Sequence, residues 1–175
     1  LLLRLDKNGK LIWSKQYGST NEDEQAFKII ETSNSPGYLL AGRSSNSSSG
    51  QTDILLVKTD QAGNQIWLKT FAGAGGRVGR SVVEINDGYL VAGTSLNPAN
   101  GTPDLFLLKT DFSGNEQWSR FYGSGSDIDE GFDIIQTSDG NIALVGYTGS
   151  NSDVFLLKTT PAGDEIWSTS FDGNG

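Results

Sequence analysis

Residues 54–67 read ILLVKTDQAGNQIW, and the phrase returns at 105–118 as LFLLKTDFSGNEQW and at 154–167 as VFLLKTTPAGDEIW. A clipped version, LLLRLDKNGKLIW, occupies residues 1–13. Each opening run is apolar at successive positions, which suits a short strand buried on both faces rather than one wet on alternate sides. Asp with Gly three residues later follows in three copies (Asp6 to Gly9, Asp60 to Gly63, Asp111 to Gly114), and Thr160 to Gly163 in the fourth. That pairing is a type I turn signature, because the carboxylate can accept from the turn backbone. The next strand carries Trp13, Trp67, Trp118 or Trp167 and ends four residues on at Tyr17, Phe71, Tyr122 or Phe171.

Between these phrases lie two further strands. Ala26–Ile30 matches Gly79–Val83 and Gly131–Ile135; Tyr38–Gly42 matches Tyr89–Gly93 and Ile142–Gly146. Asn86-Asp87-Gly88 and Ser138-Asp139-Gly140 supply hairpin turns between them. The small residues Ala26, Gly79 and Gly131, with Gly42, Gly93 and Gly146 opposite, let two backbones crowd together. The tryptophans recur at intervals of 54, 51 and 49 residues, and the length differences fall in Ser-, Asn-, Gly- and Pro-rich stretches such as 44–50 and 96–103. No segment has sustained helical periodicity. Four short antiparallel strands per repeat predict an all-β β-propeller of four-stranded blades. A β-sandwich also uses short strands and turns, but it does not require one tryptophan phrase four times.

The phrase LLVKTD-x-x-G-N-x-x-W, followed later by DGYLVAGTS, resembles the long-repeat β-propellers of bacterial and archaeal secreted and cell-surface proteins. The resemblance spans essentially the whole chain. It implies a place in a larger surface or lipid-anchored protein, with adhesive or scaffolding duty, and it sets the blade phase. On that phase residues 1–18 are the last two strands of one blade, and 19–73, 74–124 and 125–175 are complete blades. Copy two departs from the pattern, since residues 72–77 (AGAGGR) replace the acidic stretch of copies one and three. About 3.5 blades do not close a ring, because propellers use about four to eight. The expectation is therefore a segment of a longer propeller, completed by flanking blades; a second copy is the other way to close it. The opening at Leu1 without methionine agrees with a processed product or an excised piece.

Composition narrows the function. The net charge is −8 and Lys and Arg are unclustered, so phosphate-backbone binding, and with it nucleic acid, is excluded. His, Cys and Met are absent, which removes the usual ligands of zinc, copper, haem and iron–sulfur centres and the bases and thiols of common triads. No apolar run reaches the eighteen or so residues of a spanning helix. The four tryptophans, one per blade at one position, are expected to pack between blades rather than to form a sugar platform.

The loops entering the innermost strands converge on one end of a propeller's channel, where a pocket can form. Their equivalent positions hold Glu24, Arg77 and Asp129, with Arg80 nearby, a mixed rim suited to a polar protein or glycan ligand. Asp127, Asp129, Glu130 and Asp133 form the candidate metal set, with calcium as the cation their oxygens would take; the spacing does not match the calcium-loop pattern. Asp129 and Glu130 are adjacent carboxylates that could serve glycosidic chemistry, although adjacent acids are common on loops. The Gly-Asn-x-x-Trp element is similar to one in quinone-dependent dehydrogenase propellers, but their cofactor ligands find no counterpart. Residues 73–79 are glycine-rich yet lack the Lys-Ser/Thr of a phosphate loop. Asn46 and Asn100 stand in glycosylation-type sequons. These features predict a non-catalytic structural or adhesive binding module, secreted or on the cell surface and without a resident cofactor; the alternative is a ligand-binding or enzymatic propeller with an axial site for glycan, calcium or quinone.

Overall fold

A computed structural model describes residues 1–46, 49–73, 75–123, 127–149 and 153–172, the side chain of Asn46 excepted. The chain is all-β. A hairpin of β1 (Leu2–Leu5) and β2 (Leu11–Lys15) precedes three four-stranded antiparallel sheets. The first sheet holds β3 (Glu22–Thr32), β4 (Gly37–Asn46), β5 (Thr52–Asp60) and β6 (Gln65–Phe71). The second holds β7 (Arg77–Ile85), β8 (Gly88–Leu96), β9 (Pro103–Thr110) and β10 (Glu116–Tyr122). The third holds β11 (Asp129–Gln136), β12 (Ile142–Thr148), β13 (Asp153–Thr159) and β14 (Glu165–Phe171). Every strand pairs with its neighbour in sequence. Repeated sheets of this kind fit a propeller-like fan or a layered sandwich, and the described sheets do not close into a ring.

The turns form as the Asp signature predicts. The Asp60 carboxylate accepts from the Ala62 and Asn64 backbone N–H groups at 2.8 Å each and from Asn64 Nδ2 at 2.9 Å. Asp111 repeats this with Ser113 and Asn115. The Asn64 and Asn115 hydrogen bonds hold the two carboxyls below the usual carboxylate range. Gly63 and Gly114 follow at φ +76° and +75°, where a side chain would strain the backbone.

Packing alternates along the third strands. Ile54 and Leu56 of β5 pack with Val82, Tyr89, Phe106 and Leu108 of the second sheet, while Leu55 and Val57 face Leu2 of the hairpin. A second core joins Leu105 and Leu107 of β9 to Ile134, Leu144 and Leu157 of the third sheet. Runs apolar at every position are thus explained by a sheet on each side.

Trp13, Trp67 and Trp118 each lie on the turn glycine of the next sheet. A methyl group at Gly63 would fall 2.7 Å from the Trp13 ring, one at Gly114 3.1 Å from Trp67, and one at Gly163 2.7 Å from Trp118. Hydroxyls reinforce the contact: Tyr17 donates to the Gly63 carbonyl at 2.8 Å and Tyr122 to that of Gly163 at 2.6 Å. Burial pushes the Tyr89 and Tyr122 phenols up to about 12. Their unfolded value is near 10, so the stabilising protonated form is fully present below pH 10 and is lost as pH rises towards 12. Each phenol withdraws up to roughly 2–3 kcal/mol across that window. An alkaline titration should show tyrosinate absorbance appearing together with loss of tertiary signal between pH 10 and 12. Ionisation of all five tyrosines near pH 10 with the fold intact is the contrary result.

Candidate functional site

The first strand of every sheet carries a β-bulge at one equivalent position. Register slips between Ala26 and Lys28, between Gly79 and Ser81, and between Gly131 and Asp133, leaving Phe27, Arg80 and Phe132 as the extra residues. A bulge bends its strand and re-aims the inserted side chain. Opposite each bulge stands a glycine, because the partner backbone arrives too close for a side chain. A Cβ at Gly42 would lie 1.8 Å from the Gln25 carbonyl oxygen, one at Gly93 1.8 Å from that of Val78, and one at Gly146 1.9 Å from that of Glu130.

The three bulged side chains meet. The Arg80 guanidinium carbon lies 5.4 Å from the centre of the Phe27 ring and 5.8 Å from that of Phe132, a cation held between two aromatic rings. Its Nη2 approaches Glu130 Oε2 at 3.5 Å. The residues after the bulges form a second layer. Lys28 Nζ reaches Asp133 Oδ1 at 3.1 Å, and the Ser81 hydroxyl donates to the same oxygen. Burial raises the Asp133 carboxyl, but the Ser81 and Lys28 hydrogen bonds outweigh it and hold the group below the usual carboxylate range. Lys28 and Asp133 come from the first and third sheets, so this contact passes across the edge of the second.

Of the sequence candidates, this mouth gathers Arg80, Glu130 and Asp133. Glu24, Arg77 and Asp129 serve the preceding loops instead. Glu24 Oε1 accepts from the Ser19 backbone N–H at 2.7 Å and packs on Gly18. Arg77 packs on Gly73 and lies 4.5 Å from the centre of the Phe106 ring. Asp129 is fully buried against Gly123. Asp127 is exposed in the loop before β11. Among the described residues no three acidic side chains converge as a metal site would require, and the four acids of the calcium set are not brought together. Asn100 Nδ2 is engaged by Asp104 Oδ2 at 3.1 Å, while the Asn46 side chain and Ser47-Ser48 lie outside the described residues.

Phe27, Lys28, Ser81 and Phe132 escaped the sequence reading. Their signal is the small residue just before each bulge with a glycine opposite. At the other end of the same three strands an open cleft of about 580 Å³ is lined by Ile30, Glu84, Phe112 and Gln136 among others. Its Glu84 carboxylate is committed to the first sheet, accepting from the Ser33 and Asn34 backbone N–H groups at 2.8 Å each and from the Ser33 hydroxyl at 2.9 Å. No protein-family model matches the chain, and no curated protein matches it. No helix in the described residues is long and apolar enough to cross a membrane.

Proposed function

We propose that the chain is a propeller segment acting as a non-catalytic structural or adhesive module of an exported or cell-surface protein, binding protein or glycan through blade faces and loops. The observation that carries the propeller reading is the Lys28–Asp133 contact at 3.1 Å. Stacked layers sit about 10 Å apart, which would separate the first and third sheets by about 20 Å, beyond the reach of these two side chains. Sheets that radiate from a common line, with their first strands innermost, bring the two residues together. The scaffold part of the reading is favoured by how the mouth's charges are spent: Arg80 on Glu130 and two phenyl rings, Asp133 on Lys28 and Ser81.

A glycan array and a thermal-shift screen with glycans, calcium and a quinone, run on the native chain and on Arg80→Ala, test the reading. Native-state binding raises the unfolding temperature by mass action. Glycan binding that survives Arg80→Ala is the expected result. A calcium- or quinone-induced shift that Arg80→Ala abolishes moves the chain to the alternative, a carrier or enzyme with an axial site.

A further inference from the structure

We infer that Arg77 anchors a binding site for an acidic sugar, its guanidinium taking the sugar carboxylate in the gap between the first and second sheets. The inference rests on the glycan half of the proposed function and deepens it by naming the group recognised.

The loops that lead into the first strands are built alike, but the side chain that fills each one differs in charge. A Cβ at Gly18 would lie 2.5 Å from Glu24 Oε1, and one at Gly123 1.9 Å from Asp129 Oδ2, so the first and third sheets set their own carboxylate on the loop glycine. Glu24 there accepts from the Ser19 backbone N–H at 2.7 Å. In the second sheet the same hollow holds a guanidinium, since a Cβ at Gly73 would lie 2.1 Å from Arg77 Nε. Residues 72–77 (AGAGGR) contain no acid. A cation thus stands where the sister repeats place an anion.

That cation has no acceptor. Arg4 donates to the Gln61 carbonyl, Arg43 to the Gln25 amide, Arg80 to Glu130, and Arg120 to Gly163 and Asp164. Among the described residues Arg77 alone of the five arginines makes neither a hydrogen bond nor an ion pair. Its Nε is sealed from solvent without a partner, and its guanidinium carbon lies 4.5 Å from the centre of the fully buried Phe106 ring. The side chain is otherwise partly exposed, so an oxyanion can reach the open end of the fork. Stripping water from one side of a charge favours an opposite charge on the other, and a planar carboxylate matches the fork. The acid in the same cross-strand row is already committed. Arg77 pairs with Ser95 and Ser95 with Asp104, whose carboxylate accepts from Asn97 Nδ2 at 2.6 Å, Asn100 Nδ2 at 3.1 Å and Thr102 Oγ1 at 3.1 Å.

The opposite wall suits a sugar. Ile54 packs against the second sheet, so alternation turns Thr52 the same way, and its hydroxyl lies 3.2 Å from that of Ser45. The start of β7 comes close to it: a Cβ at Gly76 would lie 3.5 Å from the Thr52 carbonyl oxygen. Hydroxyls facing a guanidinium fit a hydroxyl-rich ring with one carboxylate, and the net charge of −8 works against a polyanion. Both bordering sheets belong to the chain, so the gap is the same whatever blades flank them.

NMR titration of the native chain tests this, following the arginine Nε–Hε resonances as sodium glucuronate is added at constant ionic strength, with glucose as the neutral control. The Arg77 resonance, assigned by its loss in Arg77→Gln, is expected to move saturably with glucuronate and to ignore glucose. Arg77→Gln should weaken glucuronate binding, read on the Gly73 and Gly76 amides, at least about tenfold. Arg77→Glu, which restores the carboxylate of the sister loops, should abolish it; thermal unfolding checks that both variants fold, and Arg77→Gln carries the comparison if Arg77→Glu does not. An Arg77 resonance indifferent to glucuronate, an equal response to glucose, or amide shifts that persist in Arg77→Gln overturns the inference. A response to an aspartyl peptide but not to glucuronate overturns the sugar and makes the partner a protein. Array glycans bound equally by the native chain and Arg77→Gln overturn this site alone and leave the proposed module standing.

Discussion

Gly93→Ala is expected to cost at least about 4 kcal/mol, enough to unfold a large fraction of molecules of ordinary stability. The new methyl carbon would lie 1.8 Å from the Val78 carbonyl oxygen and 2.9 Å from its carbon, both backbone atoms across the β7–β8 ladder. A flexible side chain could move aside, but a paired strand cannot without giving up its bulge. Losing the bulge would re-aim Arg80 and release the contacts it makes with Phe27, Phe132 and Glu130. Gly101→Ala is the control, with φ +78° and open space around it, so that it suffers only the left-handed backbone cost of about 1–2 kcal/mol. Urea midpoints at constant slope measure the difference. Equal losses in the two variants would remove the close approach from the account.

Trp67→Ala and Trp167→Ala occupy the same repeat position and should behave differently. Trp67 packs on the core between the first two sheets, 6.4 Å from the Tyr89 ring and against Gly114. Its truncation should cost about 3–5 kcal/mol, as for a large buried aromatic. Among the described residues no sheet covers Trp167, which is 45% exposed, so its truncation should change the stability of this chain by less than about 1 kcal/mol. The contrast separates a stacking role, in which the neighbouring sheet decides the cost, from an intrinsic preference of the strand. Equal losses would show that the tryptophan acts within its own sheet.

Strand order and turn chemistry were readable because they are local. An apolar run, Asp, Gly and Trp within fourteen residues specify two strands and the turn between them, and four repetitions of the phrase made the pattern unambiguous. The small residues opposite one another also announced a close backbone approach, which Gly42, Gly93 and Gly146 make. The convergence at the mouth was not local. Lys28 and Asp133 are 105 residues apart, and what joins them is a one-residue slip in each first strand. Periodicity does not reveal such a slip, since an inserted residue looks like any other strand position until its partner is known. For the same reason the mouth was expected at Glu24, Arg77 and Asp129. Gly18, Gly73 and Gly123 leave hollows in the preceding loops, and those long or charged side chains fill them. The calcium set was drawn from residues close in sequence, whereas strand alternation and the bulge send Asp129, Glu130 and Asp133 to different neighbours.

The central claim is that the first strands of all three sheets meet on one line, and zero-length cross-linking tests it on the unmodified chain. A carbodiimide joins an ammonium to a carboxylate only when the two already touch. Lys158 and Asp139, 2.7 Å apart within the third sheet, provide an internal positive control. Peptide mapping should find Lys28 joined to Asp133 alongside that control, in dilute solution and within one molecule. Recovery of the Lys158–Asp139 product without any Lys28–Asp133 product would contradict the radiating arrangement and return the chain to a layered sandwich.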